Sequence, residues 1–176
     1  MNNKRCLVYS HDERKFEDVK WADIKIGNVV KFRKDQESPA DILVLFSSNK
    51  SGLVFVDTMN LDGETNLKEK TAMVETLNEN KMGAIYGEIN CDIPNENLDY
   101  WDAQIQIKNI GSGIQLGSIK NLLLRGCFVK NTDHGIGIVV YTGMQTKIMR
   151  NLKKPPHKVS NVMHLMNRML YTVFVF

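Results

Sequence analysis

Cysteine is scarce in this sequence, and the few cysteines present are not spaced as ligands. The 176 residues contain three of them, Cys6, Cys91 and Cys127. They lie far apart and form no Cys-x-x-Cys pair, which argues against a zinc site and against a disulfide framework. The four histidines are scattered too, with no pair at metal-ligand spacing. We therefore expect free, mostly buried thiols in a reducing compartment, and no metal site.

A strong excess of charge of one sign is also missing. Lysine and arginine total 23 residues against 20 aspartates and glutamates, so the net charge is only +3, and it is spread along the chain. A nucleic-acid partner is therefore not expected. Hydrophobic residues make up 43% and charged residues 24%, as in ordinary globular domains. A chain of this length can bury one substantial core.

Nucleotide-binding loops are absent as well. The glycine-rich segment Ile110-Gly-Ser-Gly-Ile114 fits neither G-x-x-x-x-G-K-[ST] nor G-x-G-x-x-G, and we expect it to be a flexible turn. No phosphorylatable Asp-Lys-Thr-Gly motif occurs in the chain. The chain by itself is therefore not expected to hydrolyse ATP.

Long hydrophobic runs are missing except at the end of the chain. Met169–Phe176 is nearly all apolar but has only eight residues, whereas a membrane helix needs about 20. We interpret 169–176 as the truncated start of a transmembrane helix and 153–168 as a linker and lead-in helix. Pro155 and Pro156 in this linker favour extended structure. The alternative is a short C-terminal element that docks on the core.

Short strand-like segments separated by polar turns fill the rest of the chain. Alternating or β-branched runs predict strands at 5–9, 16–21, 28–33, 42–46, 53–58, 84–93, 103–108, 122–130 and 137–141. Helical periodicity is scarce before residue 144, and Gly143–Arg150 predicts one short helix. The pattern therefore predicts a mainly β domain of the closed or double-sheet type, with short C-terminal helical segments.

The most informative motif is Asp62-Gly63-Glu64-Thr65, which joins an apolar, strand-like segment to a charged one. Gly63 can adopt a positive φ and has no Cβ, so the backbone here can approach another surface closely. Glu64 would then point outward from a rigid base, which suits a carboxylate that reaches into a partner's active site and orients a water. The alternative is a solvated turn glutamate, because four residues alone are a weak motif.

This loop belongs to a series of motifs that covers nearly the whole chain. In order, they are Val19-Lys-Trp21, Lys25-Ile-Gly27, Pro39-Ala-Asp41, Asn60–Lys68, Gly87–Cys91, Asn121–Cys127, Lys130–Thr132, Val139–Gly143, Thr146–Met149, Lys154–Lys158 and Met166–Arg168. From about Asn2 to Arg168 the series resembles the actuator domain of the type-four P-type ATPases, the phospholipid flippases. One departure is Asn28, where the family usually has aspartate; asparagine also suits a turn.

The resemblance implies a distorted jelly roll that forms an actuator domain over 1–152, on the cytosolic face of an integral membrane protein. These ATPases are phosphorylated by ATP on an aspartate and later hydrolyse that acyl phosphate. ATP and Mg²⁺ would be bound by domains absent from this chain. The implied partners are the phosphorylation and membrane domains of the same polypeptide and a phospholipid substrate. A small membrane accessory subunit, which the family usually requires, is a further candidate.

The resemblance also assigns roles within the loop. Glu64 would position the hydrolytic water and take its proton, and the Thr65 hydroxyl would hold the water or steady the loop. Gly63 would allow close approach to the phosphoryl group, and Asp62 would fix the turn through an Asx-type bond. Pro39-Ala-Asp41 either shapes the domain beside this loop or is only a turn before the next strand.

Two other classes of function are compatible with the residues. One is a stand-alone β-sandwich interaction module in which the Asp62 loop is an epitope. The other is a hydrolase that uses Asp62 and Glu64 as a carboxylate pair, which would have to flank a cleft at about 5–9.5 Å.

Overall fold

The structure is a computed structural model that describes residues 3–74, 85–108, 113–152, 166, 168–172 and 174. Within these ranges the strands are β1 (Arg5–Ser10), β2 (Lys15–Lys20), β3 (Val29–Arg33), β4 (Asp41–Ser47), β5 (Leu53–Asp57), β6 (Lys68–Thr71), β7 (Tyr86–Cys91), β8 (Asp102–Lys108), β9 (Gln115–Ser118), β10 (Leu122–Leu123), β11 (Phe128–Lys130) and β12 (His134–Tyr141). The short α-helices are α1 (Met59–Asp62) and α2 (Lys147–Asn151), and 3-10 turns lie at 21–23, 119–121 and 143–145. The predicted mainly β class is confirmed.

The described strands form three antiparallel sheets. A six-stranded sheet has the order β10-β4-β12-β3-β1-β2, and two three-stranded sheets have the orders β11-β5-β6 and β7-β8-β9. Neighbours such as β1 and β2, or β5 and β6, are adjacent in sequence, whereas β4 and β12 come from distant parts of the chain. The long connection between β4 and β12 therefore carries the two smaller sheets.

One main core joins the three sheets. Its centre is β4, where Ile42, Leu43, Val44 and Leu45 are all fully buried. This continuous apolar run is typical of a strand that is covered on both faces. Trp101, just before β8, is also buried and donates from Nε1 to the hydroxyl of Tyr141 at the end of β12, at 3.0 Å. That bond ties the third sheet to the six-stranded one.

Two segments were each predicted to form a single element, and both predictions are wrong because the structure divides each segment into two elements. Residues 122–130 form β10 and β11 in different sheets, because the chain turns at Arg125-Gly126, where Gly126 has a φ of +85°. Gly143–Arg150 is a 3-10 turn followed by α2, because Thr146 between them is extended, with φ −63° and ψ 146°. Strands β6 and β9 lie in segments for which the sequence predicted none.

Most of the predicted linker, 153–168, lies outside the described residues, so that domain boundary stays a prediction. The described residues at 166, 168–172 and 174 are helical. No helix among the residues that the structure describes is both long and apolar enough to cross a membrane. All three cysteines are free: Cys127 is buried, whereas Cys6 and Cys91 are only partly buried.

Candidate functional site

The Asp62 loop connects two paired strands through a single helical turn. Helix α1 lies between β5 and β6, and the Asp57 side chain accepts a hydrogen bond from the N–H of Met59 at 2.9 Å at its start. The helix ends at Gly63, whose φ of +78° lies in the left-handed region and whose N–H donates to the carbonyl of Met59. A β-carbon disfavours this conformation, which accounts for glycine at the position. The chain then runs outward toward Glu64.

The Asp62 carboxylate holds this turn together. Its Oδ1 accepts hydrogen bonds from the backbone N–H of Glu64 at 3.0 Å and from the Thr58 hydroxyl at 3.1 Å. Its Oδ2 accepts one from Lys68 Nζ at 2.7 Å. The bond to the residue two positions later is the Asx-type bond expected from the sequence. Partial burial raises the pKa of Asp62, but the bonds from Lys68, Glu64 and Thr58 outweigh it, so the pKa is below its ordinary value.

Glu64 and Thr65 stand at the outer edge of the loop. The Glu64 side chain is 59% exposed, and Thr65 is exposed beside it. The Glu64 carboxylate lies 3.2 Å from Lys68 Nζ, so the same ammonium contacts both acidic side chains of the loop. A β-carbon built on Gly63 would meet nothing within 4 Å. Glu64 and Thr65 are therefore accessible to another protein domain.

The loop rests on the core through Leu61. This residue packs against the main core cluster, and its Cδ2 lies 3.3 Å from where a β-carbon on Gly126 would stand. Gly126 belongs to the turn that splits residues 122–130 into two strands. Position 126 thus lies against α1, and a larger side chain there would collide with Leu61 and displace the loop.

The Asp41 carboxylate fixes that turn from inside the protein. Asp41 is fully buried at the start of β4, and its two oxygens accept the N–H groups of Arg125 at 2.8 Å and Lys147 at 2.7 Å. Burial raises the pKa of Asp41 to about 6, although these hydrogen bonds and the nearby cations oppose the rise. Asp41 of the Pro39-Ala-Asp41 motif therefore holds the turn beneath the loop and also begins β4.

Lys147 is a second buried anchor; the sequence placed it in the Thr146–Met149 motif but assigned it no role. Its side chain is fully buried, and Nζ donates to Asn95 Oδ1 and to the carbonyls of Asn97 and Tyr100, all at 2.7–2.8 Å. Burial lowers its pKa, and the nearby Asp41 and Asp92 charges oppose that change. A lysine within a short helix gives no sequence signal for this role, because its acceptors are about 50 residues away.

A cleft of about 430 Å³ lies beside the loop. Its charged lining residues are Asp62, Glu64, Lys68, Glu69, Lys70, Asp99 and Lys120. Lys70 is the buried member, 8% exposed, and donates to the carbonyl of Ile119 at 2.8 Å. Four carboxylates facing three lysines are a poor fit for a triphosphate, because the acidic groups would repel it. Among the described residues there is also no group of three histidine, cysteine or acidic side chains that could hold a metal ion.

Comparisons with known proteins agree with this architecture. Residues 1–154 match the family model of the P-type ATPase actuator domain. Over 99% of its length the chain is 39% identical to mouse phospholipid-transporting ATPase IC, and over 94% it is 40% identical to Arabidopsis thaliana phospholipid-transporting ATPase 1. It is also 33% identical, over 98% of its length, to guanylate cyclase alpha of Plasmodium falciparum. The chain spans 14% of the length of each of the two ATPases and 4% of the cyclase.

Proposed function

The chain belongs to the P-type ATPase actuator-domain family, and on that premise we propose that it is the actuator domain of an ATP-driven phospholipid-translocating ATPase. The observation that carries the proposal is the loop geometry: Asp62 is held by three hydrogen bonds inside the turn, whereas Glu64 is exposed above it. The names of the mouse and Arabidopsis relatives support a phospholipid as the substrate class.

In this proposal Glu64 is the general base for hydrolysis of an aspartyl phosphate on another domain. Hydrolysis needs a water in line with the phosphorus and a group that accepts its proton. A positioned carboxylate does both and contributes on the order of 10²–10⁴-fold. Gly63 lets the backbone approach the phosphoryl group, and the exposed Thr65 hydroxyl would hold the water. Asp62 acts through the turn, since its carboxylate already accepts three hydrogen bonds there.

The second part of the proposal is mechanical. The domain would rotate as a rigid body, docking Glu64 on the phosphorylated enzyme and moving away from the unphosphorylated one. Both the phosphorylation site and the lipid site in the membrane would shift the equilibrium between these two positions. The segment 153–168 would transmit this rotation to the membrane helices, with the domain on the cytosolic face. ATP and Mg²⁺ would be held by the phosphorylation machinery elsewhere in the polypeptide. A small membrane subunit is proposed as an accessory partner.

The two other classes are less well supported. A hydrolase with an Asp62–Glu64 pair needs two carboxyl groups free to act on a substrate, but Asp62 already accepts hydrogen bonds from Thr58, Lys68 and the Glu64 N–H, and Glu64 is paired with the same lysine. An interaction module that uses the loop as an epitope would explain why Glu64 is exposed. It would not explain why three hydrogen bonds to Asp62 and the left-handed conformation of Gly63 fix the turn that carries Glu64.

The test is Glu64→Gln in the intact ATPase that carries this domain. Glutamine keeps the shape and hydrogen bonding of the side chain but cannot take a proton from water. Dephosphorylation should slow by about 10²-fold or more, whereas phosphorylation from ATP uses other domains and should continue. The phosphoenzyme should therefore accumulate, and transported lipid should no longer discharge it.

The measurement is the decay of radiolabelled phosphoenzyme after a chase with unlabelled ATP, with and without lipid. Glu69→Gln is the matched control, because it removes a neighbouring exposed carboxylate on β6. Equal decay rates for wild type and Glu64→Gln would show that Glu64 is only a solvated turn residue.

A further inference from the structure

The Lys68 side chain joins the two acidic residues of the loop. Its Nζ donates to Asp62 Oδ2 at 2.7 Å and lies 3.2 Å from Glu64 Oε2. The hydrogen bond to Asp62 is the main cause of a raised pKa for Lys68; burial opposes the rise, and the contact with Glu64 adds to it. The ammonium therefore stays charged throughout the physiological pH range.

The backbone of Lys68 is fixed by the sheet rather than by the loop. Lys68 is the first residue of β6 and pairs with Val56 of β5. The Asp62 contact is the shorter of its two contacts, and Asp62 is itself bound by Thr58 and the Glu64 N–H. The ammonium is thus anchored through Asp62, and its contact with Glu64 is the looser one.

We propose that Lys68 is a positioning residue for Glu64, which sets the direction of its carboxylate and offsets part of the negative charge that the loop carries. This inference rests on the proposed function. A loop with two carboxylates must approach an aspartyl phosphate, which is also an anion, and like charges repel strongly where water is excluded. Lys68 is the cation in contact with both carboxylates, so it reduces this repulsion at the point of docking.

The contact is not expected to serve stability. Both partners are substantially exposed, with 37% of the Lys68 side chain and 59% of the Glu64 side chain accessible. Ion pairs of this kind usually contribute little to folding. Loss of Lys68 should therefore leave the domain folded and act on docking and dephosphorylation.

The main test variant is Lys68→Gln in the intact ATPase. Glutamine keeps a hydrogen-bond donor for Asp62, so the turn should persist, but it removes the positive charge. We expect decay of the phosphoenzyme to slow by about tenfold or more, with phosphorylation from ATP unchanged as evidence of folding. Lys68→Arg keeps both the charge and the donors, and should decay within about threefold of the wild type.

Lys120→Gln is the matched control. Lys120 lines the same cleft and is exposed, and in the described part of the chain it forms no ion pair. Its removal changes the net charge equally but should leave the decay rate unchanged. A slowing equal to that of Lys68→Gln would overturn the proposal, because net charge alone would then explain the effect.

Ionic strength separates an electrostatic role from a structural one. Raising salt from about 0.1 to 0.5 M shortens the screening length, so it should weaken the repulsion that Lys68→Gln exposes and speed its decay relative to wild type. Glu64→Gln lacks the base and should gain nothing from salt. A Lys68→Gln decay that is slow but insensitive to salt, or a Lys68→Arg variant as slow as Lys68→Gln, would contradict the proposal.

The two proposals fail in different ways. Slow decay of Glu64→Gln together with wild-type decay of Lys68→Gln would overturn the role of Lys68 and leave the proposed function standing. Wild-type decay of Glu64→Gln would overturn the proposed function and the role of Lys68 with it.

Discussion

At the scale of single residues, the carboxylates of Asp62 and Asp41 show how differently two similar side chains are used. Asp62 lies near the surface, and its hydrogen bonds from Lys68, Glu64 and Thr58 keep it ionised. Asp41 is fully buried, and the loss of water around it favours the protonated form. Both accept backbone N–H groups, but only Asp41 should titrate near neutral pH.

Asp41 should therefore make stability depend on pH. Its pKa is raised from 3.8 to about 6 in the folded chain, so its contribution to stability is complete below about pH 4 and is lost as the pH rises through about 6. A rise of about two pKa units corresponds to roughly 3 kcal/mol. Asp41→Asn cannot ionise and should lose less stability between pH 4 and 7 than the wild type does.

The measurement for Asp41 is urea unfolding of the two chains at several pH values in that window. Asparagine offers one oxygen acceptor in place of two, so the variant should also be less stable below pH 4. Asp12→Asn, in the exposed turn after β1, is the control and should follow the wild-type slope. Parallel curves for wild type and Asp41→Asn would contradict the assignment.

At the scale of elements, glycine is required at two positions for different structural reasons. Gly63 ends α1 with a φ of +78° in open space, so its requirement is conformational. Gly137 lies in β12 between β3 and β4, and a β-carbon there would stand 2.4 Å from Ile42 Cγ2 and 2.5 Å from the Leu43 carbonyl. Its requirement is close approach of neighbouring strands in the core.

Alanine at these two positions should separate the two effects. Gly63→Ala should lower the free energy of unfolding by about 1 kcal/mol through strain alone, and Gly63→Asn by less, because asparagine tolerates this conformation. Gly137→Ala should cost about 1–3 kcal/mol or more, because β4 and β12 cannot move apart without disturbing the core. Chemical unfolding of the three variants tests the order, and a smaller loss for Gly137→Ala than for Gly63→Ala would be the contrary result.

At the scale of the whole molecule, the three sheets make a base that supports the Asp62 loop. The turn at Gly126 supports α1, Asp41 secures that turn, and Lys147 secures the segment before β8. The base of the loop is therefore linked to the core through Leu61, the turn at Gly126 and Asp41. This arrangement suits a part that presents one group to another domain.

The 176-residue chain on its own should fold as a β domain and hydrolyse no ATP. The cleft beside the loop carries four carboxylates, and the sequence holds neither a phosphate loop nor an Asp-Lys-Thr-Gly motif. Far-ultraviolet circular dichroism tests the fold, phosphate release tests turnover, and calorimetry tests nucleotide binding. Turnover that co-purifies with the chain and persists in Glu64→Ala would contradict the actuator assignment.

The sequence by itself determined the mainly β class and the Asp62-Gly63-Glu64-Thr65 motif with its family. These depend on local patterns: alternation and β-branched runs specify strands, and a left-handed turn requires glycine at one position. Roles for Glu64 and Thr65 stay proposals, because the group that they would act on lies outside the chain.

Only the tertiary structure decided which polar groups hold the loop in place. Asp41 accepts bonds from residues 84 and 106 positions away, and Lys147 reaches a segment about 50 residues away. The first of these contacts holds the turn that divides residues 122–130 into two strands. Even Lys68, only four residues from Glu64, meets both carboxylates because β6 pairs with β5 and folds it back beside the turn. Such contacts depend on how distant segments pack, and no local pattern in the sequence encodes them.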